Sequence, residues 1–159
     1  MKKYIYIGLG VSFMILLLLM ACNSNKQENT TLVRHYGQEK YDEMKAKCTD
    51  NIQLAVANNL IAEAKKAFIH HKEDSKTDIN KAGALTKYHP DFTFKKADVD
   101  IDLITTKQVN DSGYIWVKYS TKYFDSNDNL ISASSDAVSR WEIKKNNSSW
   151  KVTSIDEIN

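Results

Sequence analysis

Asp98-Val99-Asp100-Ile101-Asp102-Leu103 alternates a carboxylate with an apolar side chain at every step. A period of two sends successive side chains to opposite faces of an extended chain, so this stretch reads as a strand with one wet and one buried face. Three further segments read as strands: Tyr114 to Phe124, Leu130 to Lys144 and Trp150 to Ile158. The breaks between them are Asn110-Asp111-Ser112-Gly113, Ser126-Asn127-Asp128-Asn129 and Asn146-Asn147-Ser148-Ser149, all rich in turn-forming residues. Gaps this short cannot hold a parallel crossover, so the four strands are expected to form an antiparallel meander.

Upstream of Pro90, the only proline, the period becomes helical. Ile52, Val56, Leu60, Ala64 and Phe68 recur every four residues, and Leu54, Ala55 and Ile61 widen the stripe. Thr49 or Asp50 is placed to cap this helix, and Lys65-Lys66 and His70-His71-Lys72 suit its C-terminal dipole. Tyr41, Met44 and Cys48 mark an upstream segment that is either its own helix or the start of this one. A shorter helix is expected from Asp78 to Tyr88. The class is α+β: N-terminal helices packed on a curved antiparallel sheet.

Register follows from keeping apolar residues together, since a slip of one residue turns a whole face outward. A three-residue loop at Asp111-Ser112-Gly113, with glycine at a positive φ, pairs Val109 with Ile115, Thr105 with Tyr119 and Ile101 with Tyr123. A three-residue loop in the next hairpin sets Ile115 opposite Trp141 and Tyr119 opposite Ala137. A four-residue loop at Asn146 to Ser149 sets Ile143 against Val152. The inner stripe of the third strand is then Ala133, Ser135, Ala137 and Ser139, all small. Either a helix approaches closely there or a cavity is left open.

The N-terminus has a different character. Lys2 and Lys3 precede an apolar run from Val11 to Met20, which ends in Leu18-Leu19-Met20-Ala21-Cys22. Leu19-Met20-Ala21-Cys22 resembles the lipobox of bacterial lipoproteins, which implies cleavage before Cys22 and a diacylglycerol thioether on its sulfur. The expected organisation is a signal peptide over 1–21, a lipidated cysteine with a polar tether over 22–31, and a single domain over 32–159. Tyr4 to Ala21 is also about long enough to span a bilayer, which is the competing reading. Two acyl chains hold a protein stably where one holds marginally, so the expected location is the extracytoplasmic face of the cell membrane.

The chain has 22 basic and 20 acidic residues, and without Lys2 and Lys3 the counts are 20 and 20. A neutral domain has no electrostatic footprint for nucleic acid. With Cys22 lipidated, Cys48 is the only thiol left, which leaves no internal disulfide and a small core residue as the expectation for Cys48.

Tyr88-His89-Pro90-Asp91-Phe92-Thr93-Phe94 leads from the short helix into the first strand, and Trp141-Glu142-Ile143 with Ser149-Trp150-Lys151-Val152 closes the sheet. On these residues, from about Val33 to Ile158, the layout resembles the nuclear transport factor 2-like superfamily of α+β cones, also called SnoaL-like. The resemblance implies helices set in the concave face of the sheet. It does not decide function, because that fold hosts isomerases, dehydratases, oligomerising modules and secretion scaffolds.

Enzymatic members commonly use a pocket carboxylate with a Tyr or His. The register above puts Asp156 on the inner face near Ser139, a weak catalytic candidate, with Tyr119, Tyr123, Ser135, Ser139 and Trp141 as candidate pocket lining. Other constellations read more simply as structure. His70 and His71 point about 100° apart on a helix, which suits a solvated end better than a metal site, and His89 has no partner in view. Asp125-Ser126-Asn127-Asp128-Asn129 begins like a calcium loop, but Leu130 stands at the glycine position and Asp136 where a bidentate Glu belongs. The Asp98, Asp100, Asp102 ladder is the solvated face of an outer strand. Trp116, Trp141 and Trp150 are core or rim residues.

No metal or cofactor is implied. The expected function is a lipid-anchored, non-enzymatic domain that binds a protein partner or forms a homodimer. A module binding a small apolar or amphiphilic ligand in the cone is the alternative. A cofactor-free isomerase or dehydratase built on Asp156 comes third.

Overall fold

A computed structural model describes residues 30–69 and 83–158. They fall into two compact units, divided after Glu43. The predicted signal peptide, Cys22, most of the tether, and His70 and His71 lie outside the described residues, as does Asp78 to Ala82 of the predicted short helix.

Helix α1 covers 30–45, so Thr30 and Thr31, assigned above to the tether, are helical. Within its first unit Leu32, Tyr36 and Tyr41 are buried. Gln38 Nε2 donates to Asp42 Oδ1 at 2.8 Å, one turn on. The helix stops at residue 45, which resolves the open alternative in favour of two separate helices.

The second unit begins with the end of α1 and carries the rest of the fold. Asp50, rather than Thr49, caps helix α2 (Asn51–Ile69): its Oδ1 accepts from the backbone N–H of Ile52 at 2.8 Å and of Gln53 at 3.2 Å. The buried residues of α2 are Ala57, Leu60, Ile61, Ala64, Ala67 and Phe68. The stripe is therefore rotated from the expected one, and Ile52 is 78% exposed. Three alanines among the six buried positions let the helix lie close to what it covers. A 3₁₀ helix (Gly83–Tyr88) follows, and leads to the sheet.

Strands β1 (Lys96–Val109), β2 (Ser112–Phe124), β3 (Leu130–Asn146) and β4 (Ser149–Glu157) form one antiparallel sheet in the order β1-β2-β3-β4, as the alternation predicts. Helix α2 packs across β1 and reaches β4. The core lies between α2, the 3₁₀ helix and the inner face of the sheet: Ile101, Ile115, Val117, Tyr119, Tyr123, Trp141, Ile143 and Val152. Each fully buried large apolar side chain contributes about 1.5–3 kcal/mol, so this face dominates the stability of the unit.

The register is set by turns and bulges in equal measure. In the first hairpin Val109 pairs with Ser112, Thr106 with Ile115 and Ile101 with Tyr119. The expected pairs Val109–Ile115, Thr105–Tyr119 and Ile101–Tyr123 do not form. The turn is only Asn110-Asp111, and Asn110 supplies the positive φ of 55°. Gly113 serves close approach instead: a Cβ there would lie 2.2 Å from the Lys107 carbonyl oxygen. With so short a turn, unbroken alternation would send Asp98, Asp100 and Asp102 into the core. An extra residue at Ile104, between Leu103 and Thr105, reverses the parity. It returns Val99, Ile101 and Leu103 to the inside and leaves the three aspartates exposed.

The second hairpin pairs Ile115 with Trp141 and Tyr119 with Ala137, as expected. Its loop, however, runs over five residues, Asp125 to Asn129. A second irregularity falls at Ser135 and Asp136, opposite Ser120, where Asp136 takes φ 54°. Beyond it Ser134 pairs with Thr121 and Ser132 with Tyr123, so Ala133 and Ser135 leave the inner stripe and are exposed. In the third hairpin Ile143 pairs with Val152, as expected, across a turn of Asn147-Ser148. An extra residue at Thr153 then moves the pairing so that Trp141 meets Ile155 and Ser139 meets Glu157.

Candidate functional site

The inner face of β2, β3 and β4 gathers the polar groups of the unit around one tyrosine. Tyr88 closes the 3₁₀ helix, and its ring stacks on Phe68 of α2 with centroids 4.4 Å apart. Its hydroxyl lies 3.0 Å from Ser139 Oγ and accepts from Trp141 Nε1 at 2.8 Å. Tyr119 sits beside both rings, 5.1 Å from Phe68 and 5.5 Å from Tyr88. Its hydroxyl donates to Glu157 Oε1 at 3.1 Å. Tyr123 donates to the Phe68 carbonyl at 3.1 Å, tying the end of α2 to the sheet. Phe92 and Phe94 close over the Tyr123 ring edge-on at 5.1 and 5.0 Å.

Burial governs the acidity of these phenols. Loss of solvation pushes Tyr123 up to about 12. It raises Tyr88 further, although the Ser139 and Trp141 hydrogen bonds work against it. Tyr119 rises for the same reason, and the neighbouring Glu157 carboxylate adds to the shift. All three are neutral hydrogen-bonding groups at physiological pH. Glu157 is mostly buried; its Oε2 makes no hydrogen bond and lies 3.7 Å from Lys87 Nζ.

Of the residues singled out in the sequence, Tyr119, Tyr123, Ser139 and Trp141 come together here. Two do not. Ser135 is exposed at the bulge, where its hydroxyl is 3.2 Å from Asp136 Oδ2. Asp156 pairs with Arg140, so its side chain is on the outer face; only its backbone carbonyl meets Ser139 Oγ, at 3.4 Å. The bulge at Thr153 exchanges the two acids and puts Glu157 inside. A signal for this was present: Val152 and Ile155 are three residues apart, and two apolar residues share one face of a strand at that spacing only across a bulge. Tyr88 and Phe68 were not legible as a pair, because nothing local links a helix to a tyrosine 20 positions downstream.

The remaining candidates fall outside this cluster. Cys48 is a free, half-buried thiol near the Asp50 carbonyl, not a core residue. Asp125 uses its carboxylate to close its own loop, with Oδ1 accepting from Asn127 N at 2.8 Å and Asn129 N at 2.9 Å. The Asn129 side chain, followed by these backbone bonds, lowers its pKa. In the aspartate ladder Asp98 faces Lys122 and Asp102 faces Lys118 across the sheet. Trp116 and Trp141 are fully buried on opposite faces, and Trp150 is at the rim of the core. Among the described residues no group of His, Cys, Asp and Glu is gathered to hold a metal, and no helix is long and apolar enough to cross a membrane.

No family model matches the chain, and neither the comparison with curated proteins nor that with solved structures finds a match. The assignment of a role therefore rests on geometry alone.

Proposed function

We propose that this is a lipid-anchored extracytoplasmic protein, held at the cell membrane through Cys22, whose α+β domain acts by binding protein rather than by chemistry. The finer architectural reading, a nuclear transport factor 2-like cone, belongs to the same proposal. One observation carries it. The hydroxyls and the indole on the inner face are committed to one another and to the helix, through Tyr88–Ser139, Trp141–Tyr88, Tyr119–Glu157 and Tyr123–Phe68. A pocket for a small ligand keeps a few polar groups free to orient it. Here Ser139 already meets the Tyr88 hydroxyl at 3.0 Å, and Phe68 stacks on the Tyr88 ring. This counts against the ligand-binding alternative; Asp156, on which the isomerase reading stood, turns outward, and Glu157, which takes its place, is bonded to Tyr119 and lies 3.7 Å from Lys87 Nζ.

The test is crosslinking of the full chain in membranes, followed by mass spectrometry of the adducts. A reproducible protein adduct that disappears with Cys22→Ser, together with a diacylglycerol mass on Cys22, is the expected result. An unmodified Cys22, or a chain that crosslinks to nothing, defeats the reading.

A further inference from the structure

We propose that the end of the sheet carrying the turns Asn110-Asp111 and Asn147-Ser148 docks on an anionic lipid surface and so fixes the orientation of the anchored domain. This rests on the membrane-anchored reading above and adds an orientation to it. The chain as a whole is close to neutral, yet the sheet is electrically polarised along its strands. The pairings of Leu103 with Val117 and of Val117 with Ser139 mark the dividing line. On the side of the two turns stand Lys107, Arg140, Lys144, Lys145 and Lys151, against Asp111, Glu142 and Asp156. On the other side Lys96, Lys118 and Lys122 are outnumbered by Asp98, Asp100, Asp102, Asp125, Asp128 and Asp136. A negative surface attracts the first end and repels the second, so the separation turns the domain even though its net charge is small.

The lysines at the basic end are placed unlike those at the other. Lys107, Lys144, Lys145 and Lys151 are exposed, and among the described residues none of them makes an ion pair. At the acidic end Lys96 holds Asp98 at 3.1 Å and Lys118 holds Asp136 at 3.1 Å. Lys144 and Lys151 are direct cross-strand partners, and both lie on the outer face because their neighbours Ile143 and Val152 point into the core. Like charges directly opposite repel, and a phosphate group held by both ammonium groups removes that cost. The Asp111 carbonyl accepts from the Lys145 N–H at 2.8 Å, which joins the two turns into one tip. Arg140 adds little free charge, since it is buried between Glu142 Oε1 at 3.4 Å and the Tyr114 ring.

Apolar groups at the same tip select a lipid surface over a soluble anion. Val109 is 54% exposed there. Trp150, the cross-strand partner of Lys145, packs on the core but is only half-buried. A half-buried indole among lysines matches the headgroup layer, where the ring meets the acyl boundary and the ammonium groups meet phosphate. Val109, Ser112, Lys144 and Lys151 form one row across the four strands, which at about 4.8 Å per strand is roughly 14 Å wide. A contact this narrow orients a domain that is already held, and the lipid on Cys22 does the holding. Cys22 stands eight residues before Thr30, a reach of at most about 29 Å, so the anchored chain stays beside the bilayer.

The experiment uses the full chain with Cys48→Ser, in phosphatidylcholine vesicles containing about one-third phosphatidylglycerol. Ser148→Cys at the basic tip and Ser126→Cys in the opposite hairpin loop each carry an environment-sensitive fluorophore; both serines are exposed. Quenching by a headgroup-nitroxide lipid is expected to be at least threefold stronger at position 148 than at position 126. Lys144→Gln, Lys145→Gln and Lys151→Gln together abolish that difference, with circular dichroism checking that the fold is kept. Pure phosphatidylcholine abolishes it too, as does about 1 M salt, where the screening length falls to about 3 Å. Equal quenching at the two positions overturns the docking, and so does a difference that survives in pure phosphatidylcholine or in the triple variant. Position 148 crosslinking to a protein in native membranes, with no quenching in vesicles, assigns the tip to an acidic protein and also overturns it. The mass of the Cys22 peptide from the same vesicles reports separately on the anchor, so failure of the orientation and failure of the anchored reading are told apart.

Discussion

Tyr88 holds more of the inner face together than any other side chain, because two buried groups from β3 depend on its hydroxyl. Tyr88→Phe leaves the Trp141 indole N–H and the Ser139 hydroxyl without that partner in a dry core. The expected loss is about 1–3 kcal/mol, read from urea unfolding. Tyr123→Phe removes one bond, to the Phe68 carbonyl, and should cost less, about 0.5–1.5 kcal/mol. The same phenols set the alkaline limit. Tyr88, Tyr119 and Tyr123 all ionise above the ordinary value of 10.0 when folded. Their contribution is complete below pH 10 and is lost as pH rises toward the folded values, because the unfolded chain releases those protons first. The urea midpoint should fall steadily above pH 10, less steeply in Tyr123→Phe; a flat profile contradicts this.

Asp50 contributes to acid sensitivity in the opposite sense, as do Asp125 and Asp136. The Gln53 and Ile52 amides lower the pKa of Asp50 below 3.8, so its capping contribution is full above that value and vanishes as pH falls through the folded pKa. Asp50→Ala should lower the melting temperature by a few degrees at pH 7, and the difference from the parent should shrink as pH falls through the folded pKa. Thr49→Ala should be silent, since Asp50 makes the capping bonds.

At the scale of elements, the hairpins show how a correct pattern can carry an incorrect register. The strands, their order and two of the three pairings were legible, because alternation survives in each strand between its irregularities. The first pairing was not. Asn110 and Gly113 both suit a turn, and only the closeness of Lys107 to Gly113 shows which of them needs to be what it is. Gly113→Ala should therefore cost about 1–3 kcal/mol by overpacking, although its φ is open to any residue. Asn110→Gly should be tolerated, because glycine accepts a positive φ freely. Equilibrium unfolding of both variants separates a turn that needs glycine for conformation from one that needs it for space. The exposed Ile52 teaches a related lesson: spacing by four drifts around a helix of 3.6 residues per turn, and the true stripe also uses spacing by three.

For the whole molecule, the prediction is a division of labour between address and domain. Cys22→Ser should release the chain from membranes while leaving the melting of the domain unchanged, because the core is built from residues downstream of Met44. Fractionation and a thermal scan of the same sample check both halves. Glu157→Gln should leave the fold intact by circular dichroism, since Tyr119 can still donate to the remaining oxygen.

The α+β class and the meander were determined by the sequence alone, because each depends on local periodicity, whereas the choice of Asp50 over Thr49 as the cap was made only in the structure. The resemblance of Leu19-Met20-Ala21-Cys22 to a lipobox is likewise read from a short contiguous pattern. Which acid faces the core was decided only in the tertiary structure. A single extra residue at Thr153 exchanges Asp156 for Glu157, and it is retained because burying Ile155 rather than Ser154 against Trp141 is the more favourable packing. The union of Tyr88, Phe68, Tyr119 and Trp141 was decided there as well, since it joins side chains from two helical elements and two strands whose proximity no local pattern encodes.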